Sequence, residues 1–360
     1  MSNLRNLVQT AKAYLDPQQI GYVIFYVTNQ CNFRCDFCFY YAEIEKGRKV
    51  EEMSIDEIGK MTENIGPILQ LSLTGGEPFL RKELAEITTL FIENCSARYI
   101  TIPTNASLTD KMVRYLETIL PRHPDSFFRL AFSIDGIGEE HDKNRSMPGS
   151  YEKIIRSYNA ISPLRERFPN LVLDSNSVFT ASSEDRMLDI QKTIDRDFDF
   201  DNLTITYARG NIKDEALKTQ SKEKYLAVND FLESVSRKKE TRKLYFLYRG
   251  ARDVSRENLI KTAFDNEFVT PCVAGKKLLV ISETAEVHPC EILDQSMGNL
   301  RDVDFDIYRL MHRKENKDLV KWIKDSRCKC TFECALGANV VWNPSQYPRF
   351  LTAALKNIGQ

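Results

Sequence analysis

Cys31-Asn32-Phe33-Arg34-Cys35-Asp36-Phe37-Cys38 places three thiols on one short segment with C-x3-C-x2-C spacing. Three thiolates from one loop suit three irons of a cubane [4Fe–4S] cluster and leave the fourth iron without a protein ligand, open to a small molecule. Zinc is the rival metal, but a structural zinc site takes four ligands, and no nearby histidine or cysteine completes this set. A second group lies towards the other end: Cys272 and Cys290 with 17 residues between them, then Cys328, Cys330 and Cys334. Five thiols there offer one fully cysteine-ligated [4Fe–4S] cluster with one thiol to spare, on Cys272, Cys290 and two of Cys328, Cys330 and Cys334. A zinc site drawn from the same thiols is the other reading. Cys95 shares a helical segment with Leu90 and Phe91 and reads as a small buried hydrophobe. The four histidines share no metal-ligand spacing, and no hydrolytic triad emerges.

The elements that must hold the first loop come from an alternation of apolar, β-branched runs with helical patterns. Strands are expected at Tyr22 to Val27, Leu71 to Leu73, Tyr99 to Ile102, Arg129 to Ile134, Leu171 to Phe179 and Leu203 to Tyr207. Helices fall between them, including Glu83 to Cys95, Tyr151 to Ile161 and one opened by a Ser54/Glu57 capping box. Strands joined by helical crossovers form a parallel sheet, so the fold class is α/β, a partial (β/α)6 TIM-like barrel with its ligands at the C-terminal ends of the strands. The thiol loop follows the first strand and occupies such an end. From Ile212 to Phe268 the pattern is helical and highly charged, and the run Arg237-Lys238-Lys239-Glu240 reads as a solvated helical face. After Pro271 come short apolar segments, turns and the five clustered cysteines, the texture of a small metal-stapled domain. The expected order is therefore an N-terminal extension (1–19), a core (20–211), a helical connector (212–270) and a cysteine-rich domain (271–360).

The C-x3-C-x2-C loop after the first strand, with aromatic Phe37 before its last cysteine, resembles the radical S-adenosylmethionine superfamily, and further motifs agree in order. Thr74-Gly75-Gly76-Glu77-Pro78 is similar to the family's glycine-rich stretch after the second strand, which lies against the methionine amino group. Thr104-Asn105-Ala106 is similar to a strand end that in the family reads TNG. Ser133-Ile134-Asp135-Gly136 with His141, Asp142 and Arg145 resembles its SxDG…HDxxR segment. The resemblance implies that Ser133 binds ribose, that Arg145 binds the methionine carboxylate and that Phe37 lies against adenine. Gly75, Gly76, Glu77, Asn105, Asp135 and, on the sixth strand, Tyr207 are the remaining cofactor contacts it implies; Ser177 on the fifth strand is a weaker candidate. The tail, with Val287-His288-Pro289-Cys290 and Met297-Gly298-Asn299-Leu300, resembles the auxiliary-cluster domains called SPASM or, in shortened form, twitch. There Ala285 replaces the family's hairpin glycine, as Ala106 replaces that of the third strand end.

The resemblance implies reductive cleavage of S-adenosylmethionine to a 5′-deoxyadenosyl radical, which takes hydrogen from a substrate carbon. A second [4Fe–4S] cluster would accept the substrate's electron, giving a two-electron oxidation or crosslink of a peptide or small metabolite. The electron comes from an external donor such as a flavodoxin or ferredoxin. The segment before Tyr22 is too short for a leader-binding domain, which leans towards a small molecule or a separately recognised peptide. Lys plus Arg number 50 and Asp plus Glu 51, so no global field draws in nucleic acid. The longest apolar run falls far below the ~18 residues of a membrane span. Without a secretion signal the expected location is the cytoplasm, where thiols stay reduced. The rival from another class is a non-catalytic zinc-binding structural or nucleic-acid-binding protein.

Overall fold

Strands separated by helix-length segments cannot pair through tight turns, and the chain folds accordingly. The computed structural model describes residues 2–47, 50–218, 220–239 and 245–358. Six strands lie side by side in chain order: β1 (Tyr22–Thr28), β2 (Gln70–Gly75), β3 (Tyr99–Thr104), β4 (Phe127–Ser133), β5 (Leu171–Phe179) and β6 (Asn202–Tyr207). All their pairings are parallel. The sheet does not close, and β6 forms one of its edges.

On the other side of β1 the sheet continues through β7 (Leu278–Ile281), β8 (Glu286–His288) and β9 (Gly298–Asn299). β7 runs parallel to β1 with Leu278 opposite Tyr22, and β8 and β9 turn back antiparallel. The cysteine-rich segment is thus hydrogen-bonded into the same sheet as the core.

β1 is buried along its whole length, as a central parallel strand covered on both faces must be. Its alternate residues serve two layers. Val23, Phe25 and Val27 join the large core with Leu279 and Ile281. Tyr22, Ile24 and Tyr26 pack with Leu278 and Val280 against Phe332, Ala335, Ala338 and Trp342, the face of the helix Glu333–Trp342 and the residue before it. The helix Glu333–Trp342 therefore covers the second face of β1 and β7.

The capping box forms as read: Ser54 Oγ accepts from the Glu57 amide at 3.2 Å, and Glu57 accepts from the Ser54 amide at 2.8 Å. Glu57 also pairs with Arg301 at 2.7 Å, fastening the first crossover helix to the C-terminal segment. The connector contains helices Lys222–Lys239 and Tyr245–Phe264. The side chains of the charged run 237–240 lie outside the described residues. Among the described residues no helix is long and apolar enough to cross a membrane.

Candidate active site

The thiol loop is built from three strand ends. At the end of β1, the Thr28 hydroxyl donates to Glu52 at 2.5 Å, and Glu52 is held by Arg81 at 2.7 Å. Asn29 Nδ2 donates to the carbonyls of Glu43 and Gly47, at 3.0 and 2.9 Å, closing the far side of the loop. At the end of β2, the Gly76 amide donates to Thr28 O at 2.9 Å and the Glu77 amide to Gln30 O at 2.8 Å. A Cβ on Gly75 would lie 2.1 Å from Thr28 O, and one on Gly76 2.1 Å from Gln30 O. The two glycines are required because the β2 end passes directly beneath the loop's backbone. From β3, Asn105 donates to Asn32 Oδ1 at 2.9 Å, and Asn32 in turn donates to Ser107 at 2.8 Å.

Glu77 is buried and binds both ends of this frame. Its carboxylate accepts from the Phe79 amide, the Thr104 hydroxyl and the Asn105 amide at 3.2, 2.9 and 2.8 Å. Burial outweighs these donors and pushes its pKa up to about 7.

The three thiols sit within electrostatic reach of one another. Burial pushes Cys31 up to about 12 and Cys38 to about 11, with neighbouring thiols adding to both shifts, and it raises Cys35 as well. Buried thiols of this kind ionise when a metal supplies the compensating charge. Among the described residues no three His, Cys, Asp or Glu side chains come close enough to hold a single metal ion. A cubane binds each thiolate to a different iron, so the three thiols of this loop would hold three of its four irons.

The β4 end supplies the wall beside the thiols. Arg145 pairs with Asp135, lies 5.3 Å over the Phe37 ring and approaches Cys35 Sγ to 3.9 Å. Asp135 also accepts from the Val178 amide at 2.6 Å. His141 is fully buried and accepts the Asp135 amide at its Nδ1, 3.1 Å away. Burial holds its pKa down to about 3, so the ring stays neutral with its proton on Nε2. Asp142 receives the Gly149 and Tyr151 amides and the Ser150 hydroxyl. Ser133 is half-buried at the end of β4. Phe37, Gly75, Gly76, Glu77, Asn105, Asp135 and Arg145 are thus tied into one cradle around the three cysteines.

The ring of Tyr207 lies apart from these side chains. Strand alternation turns its ring against Tyr225 and Phe264, at 5.9 and 5.7 Å, under the connector helices. Ser177 likewise faces away, bonded to Gln191 and the Ile134 carbonyl. Thr204 and Thr206, both donating to Asn176 Oδ1 at 3.1 and 2.8 Å, take the opposite face. Cys95 is fully buried and donates to Thr62 O at 3.1 Å, apart from both thiol groups.

The second thiol group surrounds a partly open, mainly apolar cavity of about 80 Å³. Cys272, Cys290, Cys328 and Cys330 line it, with Ile292, Leu293 and Asn339 among their neighbours. Cys334 does not line it; its thiol interacts instead with Tyr22, Arg209, Glu291 and Glu333. Those charges were missed by the sequence reading. Arg209, just beyond β6, pairs with Glu291 at 3.1 Å and Glu333 at 2.8 Å, and Tyr26 donates to Glu291 at 2.9 Å. Their one sequence signal is adjacency, since Glu291 follows Cys290 and Glu333 precedes Cys334.

Residues 25–174 match the model of the Radical SAM superfamily. The match runs from β1 into β5, somewhat less than half of the chain. An AdoMet-dependent heme synthase of Nitratidesulfovibrio vulgaris is 24% identical over 293 residues, 78% of this chain and 76% of that protein. A GTP 3′,8-cyclase of Clostridium botulinum is 28% identical over 142 residues, 39% of this chain and 43% of that protein. Among solved structures, anSMEcpe with bound AdoMet and the Cp18Cys peptide superposes at a TM-score of 0.58 and 16% identity, covering 94% of this chain and 99% of that one. Streptococcus suis SuiB bound to S-adenosylmethionine gives 0.57 at 15% identity over 89% and 72%. The fold of the chain follows theirs through the cysteine-rich segment.

Proposed function

We propose that the chain is a radical SAM enzyme that uses S-adenosylmethionine and a [4Fe–4S] cluster to abstract hydrogen from a substrate carbon and completes a two-electron oxidation or crosslink through a second, auxiliary [4Fe–4S] cluster. The observation that carries this reading is the contrast between the two thiol groups. Cys31, Cys35 and Cys38 offer three ligands in a polar cradle, whereas Cys272, Cys290, Cys328 and Cys330 offer four around a small, mainly apolar cavity. Three thiolates leave one iron for a small molecule; four leave none, which suits electron transfer over substrate ligation. Bound at the first group, the cluster and S-adenosylmethionine would supply the 5′-deoxyadenosyl radical. The chain's own residues bind and orient. Arg145 is the candidate partner for the methionine carboxylate, Ser133 for the ribose and Phe37 for the adenine. Gly75, Gly76, Glu77 and Asn105 hold the loop at a fixed distance from them, and Asp135 fixes Arg145. Buried walls keep water from the reacting atoms.

The likeness in fold to anSMEcpe, solved with a peptide, supports a peptide substrate, with a small hydroxylated metabolite as the second candidate. An external flavodoxin or ferredoxin would deliver the electron. The test is anaerobic incubation of the reconstituted enzyme with reductant, S-adenosylmethionine and candidate substrates. Formation of 5′-deoxyadenosine with a substrate mass loss of two hydrogens supports the reading. Loss of the auxiliary cluster in Cys272→Ala/Cys290→Ala with cleavage and oxidation both unchanged contradicts it. The choice of ligands is tested separately: Cys330→Ala should fall from about eight irons per chain to about four, and Cys334→Ala should keep about eight.

A further inference from the structure

The space between the two thiol groups is occupied by a charged joint. Arg209 lies 5.4 Å from the Phe39 ring, next to Cys38, and 4.9 Å from the Phe332 ring, two residues past Cys330. Its guanidinium bonds Glu291, peptide-linked to Cys290, and Glu333, which also accepts the Tyr207 amide at 2.7 Å. Arg209 Nε is buried without a hydrogen-bond partner, and the guanidinium is held by its two carboxylates and two rings, with the Cys334 thiol nearby. Gly210 completes the corner: its φ of +71° is the left-handed conformation, and a Cβ there would stand 3.0 Å from Phe39. One corner at the end of β6 thus touches both cysteine-bearing segments.

Two carboxylates share one guanidinium, leaving one excess negative charge beside the four-thiol cavity. A buried fixed charge acts strongly on a neighbouring redox centre, because adding an electron raises the local negative charge. We propose that Arg209, Glu291 and Glu333 form an electrostatic joint that sets the reduction potential of the auxiliary site. In this role Arg209 is a positioning residue and makes no contact with the reacting atoms. The inference rests on the auxiliary-cluster reading above.

The test is an EPR-monitored redox titration of the reconstituted holoenzyme, with iron and sulfide content measured on each sample. Arg209→Gln removes a positive charge and should lower the auxiliary reduction equilibrium constant about tenfold, ~59 mV for a one-electron couple. Glu333→Gln removes a negative charge and should raise it by a similar factor. Arg209→Lys, which keeps the charge, should stay near the wild type. A merely structural role would not give opposite signs for two variants at one joint. Shifts in the same direction, no shift, or an Arg209→Lys effect as large as that of Arg209→Gln would overturn the proposal. If Arg209→Gln does not fold, the upward shift in Glu333→Gln decides alone. Wild-type enzyme with about four irons and only one EPR signal, sensitive to S-adenosylmethionine, would instead remove the auxiliary-cluster reading and this inference with it.

Discussion

Gly76 has no room for a side chain, because the carbonyl of Gln30 occupies the place of its Cβ at 2.1 Å. Since that carbonyl is backbone, relief requires the thiol loop to move. Gly76→Ala should therefore cost about 1–3 kcal/mol in stability and reduce the iron retained at the first site, read by iron content after anaerobic reconstitution. Glu77 adds a pH signature. Its folded pKa, pushed up to about 7 by burial, exceeds the ~4.3 of a free glutamate. The folded state then binds the proton more tightly, so the stability this group contributes is full below about 4.3 and is lost as pH rises through about 7. Urea unfolding of the metal-free protein should show this decline between pH 5 and 7. Glu77→Gln should flatten it and be less stable throughout, because its amide meets donors that now face a carboxylate. An unchanged pH slope in the variant would show that another group is responsible.

At the scale of elements, two alanines stand where the resembled family has glycine, and both adopt the glycine conformation. Ala106 has φ 54° and Ala285 φ 70°, and both are fully buried. The left-handed conformation costs an L-residue roughly 1–2 kcal/mol, offset here by methyl burial and by hydrogen bonds such as Leu300 N–H to Ala285 O at 2.9 Å. Ala285→Gly should thus change stability by less than about 1 kcal/mol. Ala285→Val, β-branched at positive φ in a packed turn, should lose more than about 2 kcal/mol; the denaturant midpoint distinguishes them. The six parallel strands were legible in the sequence because β-branched runs alternate with helix-length segments. The pairing of β7 with β1 was not, since it joins residues more than 250 positions apart and local patterning carries no such information. The direction of the Tyr207 ring was not legible for a smaller reason. One residue of strand register separates the helix-covered face from the other, and a motif that ends near a strand does not say which face its last aromatic takes.

For the molecule as a whole, one sheet carries both cysteine groups, the first at the ends of β1 to β4 and the second around the segments flanking β7 and β8. The two groups of thiols were readable from spacing alone. Which four of the five C-terminal thiols share a cavity was not, because Cys330 and Cys334 are separated only by the turn into the helix Glu333–Trp342 and the choice depends on where that helix packs. The central claim remains that Cys31, Cys35 and Cys38 hold a cluster with one iron open to S-adenosylmethionine. Its most direct test is 5′-deoxyadenosine formation by Cys35→Ala, anaerobically reconstituted and reduced with dithionite, beside the wild type. The wild type should produce it, and the variant should produce none while keeping about four irons at its other site. A variant that cleaves S-adenosylmethionine as fast as the wild type would contradict the assignment.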